Sequence, residues 1–135
     1  MVKISVIIAA YNSENYIREA VASVQRQTLR ELEILCVDDC SQDATPRLLD
    51  ELAAEDSRVR VIHHTVNGGT AKSRYDGLCA ASGEYILFLT ATIIIPVPAP
   101  ARRCMRLPPK KRWMCCSLAC SCWRRRIPRR IICRG

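Results

Sequence analysis

Two adjacent carboxylates, Asp38 and Asp39, directly follow a short apolar run, EILCV, at residues 33–37. The two carboxylates of such a pair can have different functions. One carboxylate accepts the imide N–H of a pyrimidine base or a ribose hydroxyl, while backbone N–H groups hold the other. The plainer alternative is that Asp38 or Asp39 caps the helix that follows. The residue types are compatible with either role.

Basic side chains follow a glycine pair further along the chain. Lys72 and Arg74 lie just inside a predicted helix after Gly68-Gly69, where exposed backbone N–H groups favour anions. The two side chains could bind a diphosphate there. A solvated helix face is the alternative, and for Lys72 taken alone it is the preferred one.

Three residues with ring side chains stand at other predicted strand ends. Tyr11 could form a wall beside a nucleotide base, although a single aromatic residue at a strand end also serves simple packing. His63 and His64 continue a strand and lack a third ligand at metal-binding spacing. We therefore expect both histidines to be structural.

The apolar pattern predicts the elements that position these residues. Four short apolar runs indicate strands: Lys3–Ala10, Glu33–Val37, Val59–His63 and Glu84–Leu89. Three segments with apolar residues at helical spacing indicate helices: Glu14–Gln27, Ala44–Glu55 and Thr70–Ala81. Asn12 or Ser13 is expected to cap the first helix and Thr70 the third. The turn Asn67-Gly68-Gly69 predicts a positive φ.

This alternation of strands and helices, with short connections, predicts an α/β fold with a parallel sheet and flanking helices. Ligands of such sheets bind beyond the carboxyl ends of the strands. Here those ends are residues 9–12, Asp38-Asp39, His63-His64 and the residues that follow Leu89. We expect the candidate site to lie at this edge.

The composition changes abruptly after Leu89. Residues 1–89 carry 9 Lys/Arg, 13 Asp/Glu and three Cys, whereas residues 90–135 carry 12 Lys/Arg, no Asp/Glu, six Cys and six of the seven Pro. We predict a folded domain over residues 1–89 and an irregular basic tail over residues 90–135, because the prolines interrupt regular structure.

The apolar runs do not form a recognisable targeting signal. The first run is too short for a signal peptide and lacks a small-residue cleavage pattern. Three prolines interrupt residues 86–101, which come nearest to a membrane span. We expect a cytoplasmic protein with free thiols in residues 1–89, and the inner face of the membrane is the alternative location.

Three stretches together resemble the N-terminal half of family 2 glycosyltransferases, the nucleotide-diphospho-sugar transferases of the Rossmann-like GT-A fold. They are ISVIIAAYNSENYIREAVASVQRQTL (4–29), ELEILCVDDCSQDAT (31–45) and RVRVIHHTVNGGTAKSRYDGLCAASGEYILFL (58–89). The match covers nearly all of residues 1–89 in the family's order and spacing. It implies an incomplete GT-A sheet followed by the basic tail.

The resemblance also implies a site and an activity. It places six residues in the nucleotide-sugar site: Ala9, Tyr11, Asn12, Asp38, Asp39 and Arg74. By this resemblance residues 9–12 border the base, Asp39 reads it, usually as uracil, and Arg74 lies near the base and diphosphate. The implied reaction transfers a sugar, with inversion, from a UDP-sugar to a saccharide or lipid-linked acceptor, in cell-surface polysaccharide or glycolipid synthesis.

Some positions depart from the family pattern. Ala9 stands where Pro is frequent, Cys40 where Gly is frequent, and Tyr75-Asp76 where Asn and a small residue are frequent. The largest departure follows the fourth strand, where the family places Asp-x-Asp or Asp-x-Asp-Asp to hold Mg²⁺ or Mn²⁺ on the diphosphate. This chain has Thr90-Ala91-Thr92-Ile93 there.

Hydroxyl and methyl groups cannot replace two carboxylates against a divalent cation, which requires hard, charged oxygen ligands. We therefore expect this chain to contain neither the family's metal ligands nor its catalytic base, and to be inactive as a transferase. A nucleotide-binding module without catalysis is the alternative function.

The genetic code suggests a cause for this departure. Thr, Ala and Ile codons are ACN, GCN and ATH. Read from the last base of the Leu89 codon, the same bases give NAC, NGC, NAC and NAT, which with G at three of the N positions spell Asp-x-Asp-Asp. We hypothesise that one base was lost near codon 89 and that residues 90–135 are out of frame. The nucleotide sequence there decides it: a restored frame without Asp-x-Asp-Asp would refute the idea.

Two further functions would use the tail itself. The spacing CCxxxCxC at residues 115–122 lacks the paired CxxC arms of a structural zinc site, so no zinc is expected. Basic clusters at 110–112 and 124–126, beside Trp113 and Trp123, could bind nucleic acid through phosphates and stacking. No recognisable nucleic-acid-binding fold accompanies them, and we expect no specific nucleic acid.

Overall fold

The computed structural model describes residues 2–92 and 112–114, which form an α/β fold. Its elements in chain order are β1 (Ile4–Ala10), α1 (Ile17–Gln25), β2 (Leu32–Asp38), α2 (Thr45–Glu55), β3 (Val59–His63), α3 (Gly69–Ala80), β4 (Tyr85–Thr90) and β5 (Arg112–Met114). The four predicted strands and three predicted helices are confirmed. The largest difference is at α1, which begins at Ile17 instead of Glu14.

All strands are parallel and form one sheet in the order β3-β2-β1-β4-β5. The register aligns Ala10 with Asp38, Asp38 with His63, and Ala9 with Thr90. The carboxyl ends of β1 to β4 therefore meet at one edge of the sheet, which we call the carboxyl edge. The predicted strand ends lie together there.

The short strand β5 lies in the region for which the sequence predicts no regular element. It pairs with Tyr85–Leu87 at the start of β4. The prolines do not interrupt β5, because this strand follows Pro109 and Pro128 lies well beyond it. The remaining tail residues, including the cysteine spacing at 115–122 and most of both basic clusters, lie outside the described residues.

The strands separate two apolar layers. β2 is buried along its whole length, as expected for a strand covered on both faces. On one face, Val6 and Ile8 pack in a cluster with residues of α1 and α2 such as Val21 and Leu49. On the other face, Ile7 packs in a second cluster that includes Leu78 of α3. No helix among residues 2–92 is long and apolar enough to cross a membrane.

Two predicted helix caps are wrong. The N-cap of α1 is Tyr16, which makes no side-chain capping bond. Asn12 Oδ1 instead accepts the N–H of Gln42 in the loop after β2, and the Ser13 hydroxyl donates to Tyr11 O. Ser13 contributes only its carbonyl, which accepts the N–H groups of Tyr16 and Ile17. The N-cap of α3 is Gly68, so Thr70 lies inside the helix. Gly69 has the predicted positive φ, at +79°.

A buried carboxylate at the opposite edge fixes the start of β4. Glu33 Oε1 accepts hydrogen bonds from Ser5 Oγ at 2.5 Å and from Ser82 N at 2.6 Å, and Gly83 N lies at 3.2 Å. Burial opposes the ionised form, but these hydrogen bonds lower the pKa of Glu33 below its usual value. The carboxylate therefore ties β1, β2 and the entry to β4 together.

The helix α3 approaches the sheet closely through Gly77. A Cβ at this position would lie 2.5 Å from Ile7 Cγ2 and 3.2 Å from Val37 Cγ2, and both side chains are fully buried. Glycine is otherwise a poor helix residue. Its presence is explained by the close packing of α3 on β1 and β2, which also sets the height of the α3 N-terminus over the carboxyl edge.

We predict that Gly77→Ala lowers the free energy of unfolding by about 1–3 kcal/mol, because the new methyl group overpacks a full core. On an exposed helix face the same change would raise it by about 1 kcal/mol. Urea unfolding measures the difference. Ala71→Gly, on the exposed face of α3, is the control for helix propensity alone. A G77A protein as stable as the parent would contradict this packing.

Candidate functional site

Asp39 lies at the carboxyl edge and is only 3% exposed. Its Oδ1 accepts a hydrogen bond from Gly68 N at 2.9 Å, and its Oδ2 accepts one from Gly69 N at 2.7 Å. These amides are free at the start of α3, where a helix N-terminus favours a negative charge. The expectation that Asp39 caps the helix after it is therefore wrong. It caps α3, and Asp43 accepts the N–H of Thr45 at the start of α2.

The Asp39 carboxylate is ionised and has one acceptor position to spare. Burial opposes ionisation, but hydrogen bonds from Gly68, His64 and Gly69 hold the pKa of Asp39 below its usual value. A carboxylate offers about four lone-pair sites. His64 Nδ1, at 2.9 Å, and Gly68 N use both sites of Oδ1, while Gly69 N uses one of Oδ2. One Oδ2 site is left for a ligand N–H or O–H.

Asp38 faces the other side of the sheet and is 2% exposed. Its Oδ1 accepts the N–H of Ser41 at 3.3 Å, and its Oδ2 lies 3.3 Å from His63 Nδ1. These contacts fix the turn after β2 and direct the side chain into the protein. Asp38 therefore holds the loop that carries Asp39, and its predicted place in the nucleotide site stays a prediction.

The end of β1 is locked to the loop after β2. Asn12, in a left-handed conformation with φ 46°, donates its N–H to Ser41 Oγ at 3.0 Å and accepts Gln42 N on Oδ1 at 2.9 Å. Next to it, Tyr11 is 50% exposed and free to meet a ligand. Cys40 has φ 63°, which explains why glycine suits this position in related sequences.

A second set of contacts closes the same two loops. Glu14 N donates to Asp43 Oδ2 at 3.1 Å, and Ala44 N donates to Glu14 Oε2 at 3.0 Å. Ser13 N donates to Thr45 Oγ1 at 2.8 Å. These hydrogen bonds between the loops are not predicted from the sequence. Both loops are rich in short polar side chains, which indicates hydrogen bonding, but residue spacing does not identify partners that are distant in the chain.

The two histidines each bridge two carboxylates, on opposite faces of the sheet. His63 lies 3.3 Å from Asp38 and 3.1 Å from Asp50 of α2. His64 lies 2.9 Å from Asp39 and 3.0 Å from Asp76 of α3. Both imidazoles thus connect the sheet edge to the helix that covers their own face, which agrees with the structural role predicted for them.

The two predicted basic residues differ in their contacts. Lys72 Nζ is exposed and pairs with Asp76 Oδ2 at 2.5 Å, as expected for a solvated helix face. Arg74 Cζ lies 5.9 Å from the centre of the Phe88 ring, within cation–π range. Its Nε is buried and has no hydrogen-bond partner among the described residues. The ligand-binding role predicted for Arg74 stays a prediction.

Thr90 and Thr92 lie at the end of β4, with their hydroxyl oxygens 3.3 Å apart. The two side chains converge, as ligands of one cation would. They are nevertheless neutral hydroxyls, and no group of three or more His, Cys, Asp or Glu in residues 2–92 could hold a metal ion. The donor set does not fit Mg²⁺ or Mn²⁺, which bind charged carboxylate oxygens.

The fold is a parallel α/β sheet with the buried Asp39 carboxylate and the exposed Tyr11 at its carboxyl edge, where ligands of this class of fold bind. Residues 5–94 match the Glycosyl transferase family 2 profile, which is more than half of the chain. The chain therefore belongs to glycosyl transferase family 2. The resemblance inferred from the sequence and the GT-A fold are both confirmed.

Individual relatives agree with this assignment. Glycosyltransferase GlyG of Streptococcus pneumoniae is 37% identical over 92 residues, which are 68% of this chain and 31% of GlyG. The crystal structure of S. aureus TarS 1-349 in complex with UDP-GlcNAc has 36% identity and a TM-score of 0.62, covering 67% of this chain and 26% of TarS.

A third similar protein is the mannosyltransferase PcManGT from Pyrobaculum calidifontis, whose structure was solved in complex with GDP-Man and Mn²⁺. It has 25% identity and a TM-score of 0.66, over 70% of this chain and 29% of PcManGT. The chain spans about a quarter to a third of the length of the curated relatives it matches.

We predict a pH-dependent contribution of His63 to stability. Burial disfavours its charged ring, but Asp50 and Asp38 outweigh burial and raise the pKa of His63 above 6.5. The contribution is therefore fully present below about pH 6.5 and is lost as pH rises through the folded-state pKa. His63→Asn should lose less than about 1 kcal/mol, because the ring is 39% exposed.

Urea unfolding of the parent and H63N in reducing buffer, from about pH 5 to about pH 8, measures this difference. It should shrink towards the upper end of the range. Asp50→Asn is the control, since it removes one of the two carboxylates and should lose part of the same dependence. A difference that stays constant with pH would show that His63 is not charged by its neighbours.

Proposed function

We propose that residues 2–92 bind a nucleoside diphosphate sugar at the carboxyl edge, as the nucleotide-binding half of a family 2 glycosyltransferase. The observation that carries this proposal is the spare acceptor site on Asp39 Oδ2, in a carboxylate that is otherwise fixed by three donors. TarS with UDP-GlcNAc and PcManGT with GDP-Man support a nucleotide-sugar ligand for this fold.

The chemistry of Asp39 favours uracil among the pyrimidines. Uracil carries an N–H at position 3, which an ionised carboxylate accepts, whereas cytosine carries a lone pair there and would be repelled. Tyr11, exposed beside the loop that Asn12 locks, would cover one face of the base. Ala9 and Asn12 border the same edge, and the guanidinium of Arg74 would meet the base or the diphosphate.

For the full-length protein we propose transfer of the sugar, with inversion, to a saccharide or lipid-linked hydroxyl, in cell-surface polysaccharide or glycolipid synthesis. Family membership and the names of the relatives support this. The chain itself is proposed to bind without transferring, because Thr90 and Thr92 cannot hold a divalent cation against the diphosphate. We place the protein in the cytoplasm or at the inner face of the membrane.

We also propose a boundary at Leu89, with an in-frame nucleotide-binding half before it and out-of-frame residues after it. Two observations support this boundary. The family match ends at residue 94, close to the change in composition. Thr90 and Thr92 keep the positions of an Asp-x-Asp motif while losing its carboxylates, as a single lost base would produce.

We predict that the chain binds UDP at least about tenfold more tightly than CDP, since a site built to accept an N–H rejects a base that lacks it. Isothermal titration calorimetry measures both affinities. Asp39→Asn should weaken UDP binding by at least about tenfold, because it removes a charge-assisted hydrogen bond. Neither affinity of the parent chain should respond to Mn²⁺.

The control for this experiment is Glu55→Gln, an exposed carboxylate at the far end of α2. It removes the same charge away from the carboxyl edge and should leave UDP binding unchanged. Circular dichroism verifies that D39N is folded. Equal affinities for UDP and CDP, or a folded D39N that binds UDP like the parent, would refute the assignment of Asp39.

A second prediction concerns the two threonines. The double variant Thr90→Asp/Thr92→Asp should bind UDP several-fold more tightly when Mn²⁺ is present, because the converging positions then carry two charged oxygen ligands. The matched control is T90N/T92N, which has the same side-chain shape without charge. Titrations with and without Mn²⁺ compare the two. A Mn²⁺ effect in both variants, or in neither, would contradict the placement of these residues at the diphosphate.

A further inference from the structure

A chain of polar contacts leads from Asp39 to the exposed face of α3. His64 Nδ1 lies 2.9 Å from Asp39 Oδ1, and His64 Nε2 lies 3.0 Å from Asp76 Oδ2. Asp76 Oδ2 in turn accepts Lys72 Nζ at 2.5 Å. The His64 side chain is 9% exposed, so this imidazole is held in the protein next to the candidate site.

The chemistry of Asp39 fixes the proton on one ring nitrogen. An ionised carboxylate only accepts hydrogen bonds, so Nδ1 of His64 carries a hydrogen and donates it to Asp39. On the opposite edge of the ring, Nε2 is close to Asp76 but not aligned for a hydrogen bond, and it has no hydrogen-bond partner among the described residues. The Asp76 carboxylate therefore flanks this edge of the ring at 3.0 Å without a hydrogen bond to Nε2.

The position of the ring is set by the sheet. His64 N donates to Asp38 O at 2.9 Å, which continues the β2–β3 pairing one residue past the strand. This places His64 on the same face as Asp39, while its neighbour His63 faces Asp38 and α2. The backbone pairing therefore places the His64 imidazole beside Asp39 Oδ1 without any contribution from a ligand.

We propose that His64 is a positioning residue for nucleotide binding: by donating to Asp39 Oδ1, which also accepts Gly68 N, it holds the carboxylate so that the free site of Oδ2 can accept a hydrogen bond from the base. Asp76, which stands where related sequences often have a small residue, restrains the other edge of the ring. The link to the nucleotide rests on the function proposed above, whereas the link to Asp39 does not.

The test uses the full chain and two substitutions of His64. His64→Asn keeps a side-chain N–H near the position of Nδ1, and His64→Leu removes it while filling similar space. UDP binding by calorimetry should weaken about tenfold in H64L, the effect of losing a hydrogen bond to a charged group, and stay within about threefold of the parent in H64N. Asp76→Asn should give an intermediate loss.

A second readout needs no ligand. The amide signals of Gly68 and Gly69 in a ¹H–¹⁵N correlation spectrum report the orientation of Asp39, because both amides donate to it. With only five glycines in the chain, these signals can be assigned. Both should shift in H64L and return close to the parent positions in H64N. Glu55→Gln, an exposed substitution at the far end of α2, is the control and should leave both signals in place.

Three results would overturn the proposal. Unshifted Gly68 and Gly69 signals in H64L would show that His64 does not hold Asp39. Equal shifts in H64N and H64L would show that ring packing, and not the donated hydrogen bond, matters. Shifted signals with unchanged UDP affinity would separate the contact from binding. If the parent chain does not bind UDP, the proposed function fails, and the amide signals still decide whether His64 positions Asp39.

Discussion

The whole carboxyl edge depends on the hydrogen bonds that the Gly68 and Gly69 amides donate to the Asp39 carboxylate. They join the end of β2 to the start of α3, and each is of the charge-assisted kind that contributes more than a neutral hydrogen bond. The positive φ of Gly69 allows the approach. Because the carboxylate caps a helix and accepts three hydrogen bonds, its position is fixed by the fold alone.

The surrounding loops reinforce this order from the other face. The loop after β1 and the loop after β2 exchange hydrogen bonds in both directions, through Asn12 with Gln42 and through Glu14 with Ala44. The imidazoles of His63 and His64 then connect the same edge to α2 and α3. Three loops that are separate in sequence therefore behave as one unit, which reduces the ordering cost that a ligand would otherwise bear.

The strands and helices could be predicted from the sequence because they depend on local apolar pattern, which β2 shows along its whole length. The caps could not. Ser13 and Thr70 have the right side chains, but the Ser13 hydroxyl donates to Tyr11 O and the α3 cap comes from Asp39, about thirty residues away. The sequence predicts the candidate site as a set of strand ends. It does not predict the contacts of His64 and Asp76, because side chains that pair across a fold follow no periodic pattern in the sequence.

The end of β4 shows why family membership and turnover can separate in this chain. Thr90 is placed by its pairing with Ala9, and Ala91 is buried in the core, so neither position depends on the side chains that would hold a cation. The fold therefore forms with hydroxyls as readily as with carboxylates. The nucleotide recognition that we propose for Asp39 depends on β2 and α3, and no described hydrogen bond joins Thr90 to either element. The proposed binding at Asp39 therefore does not require charged side chains at positions 90 and 92.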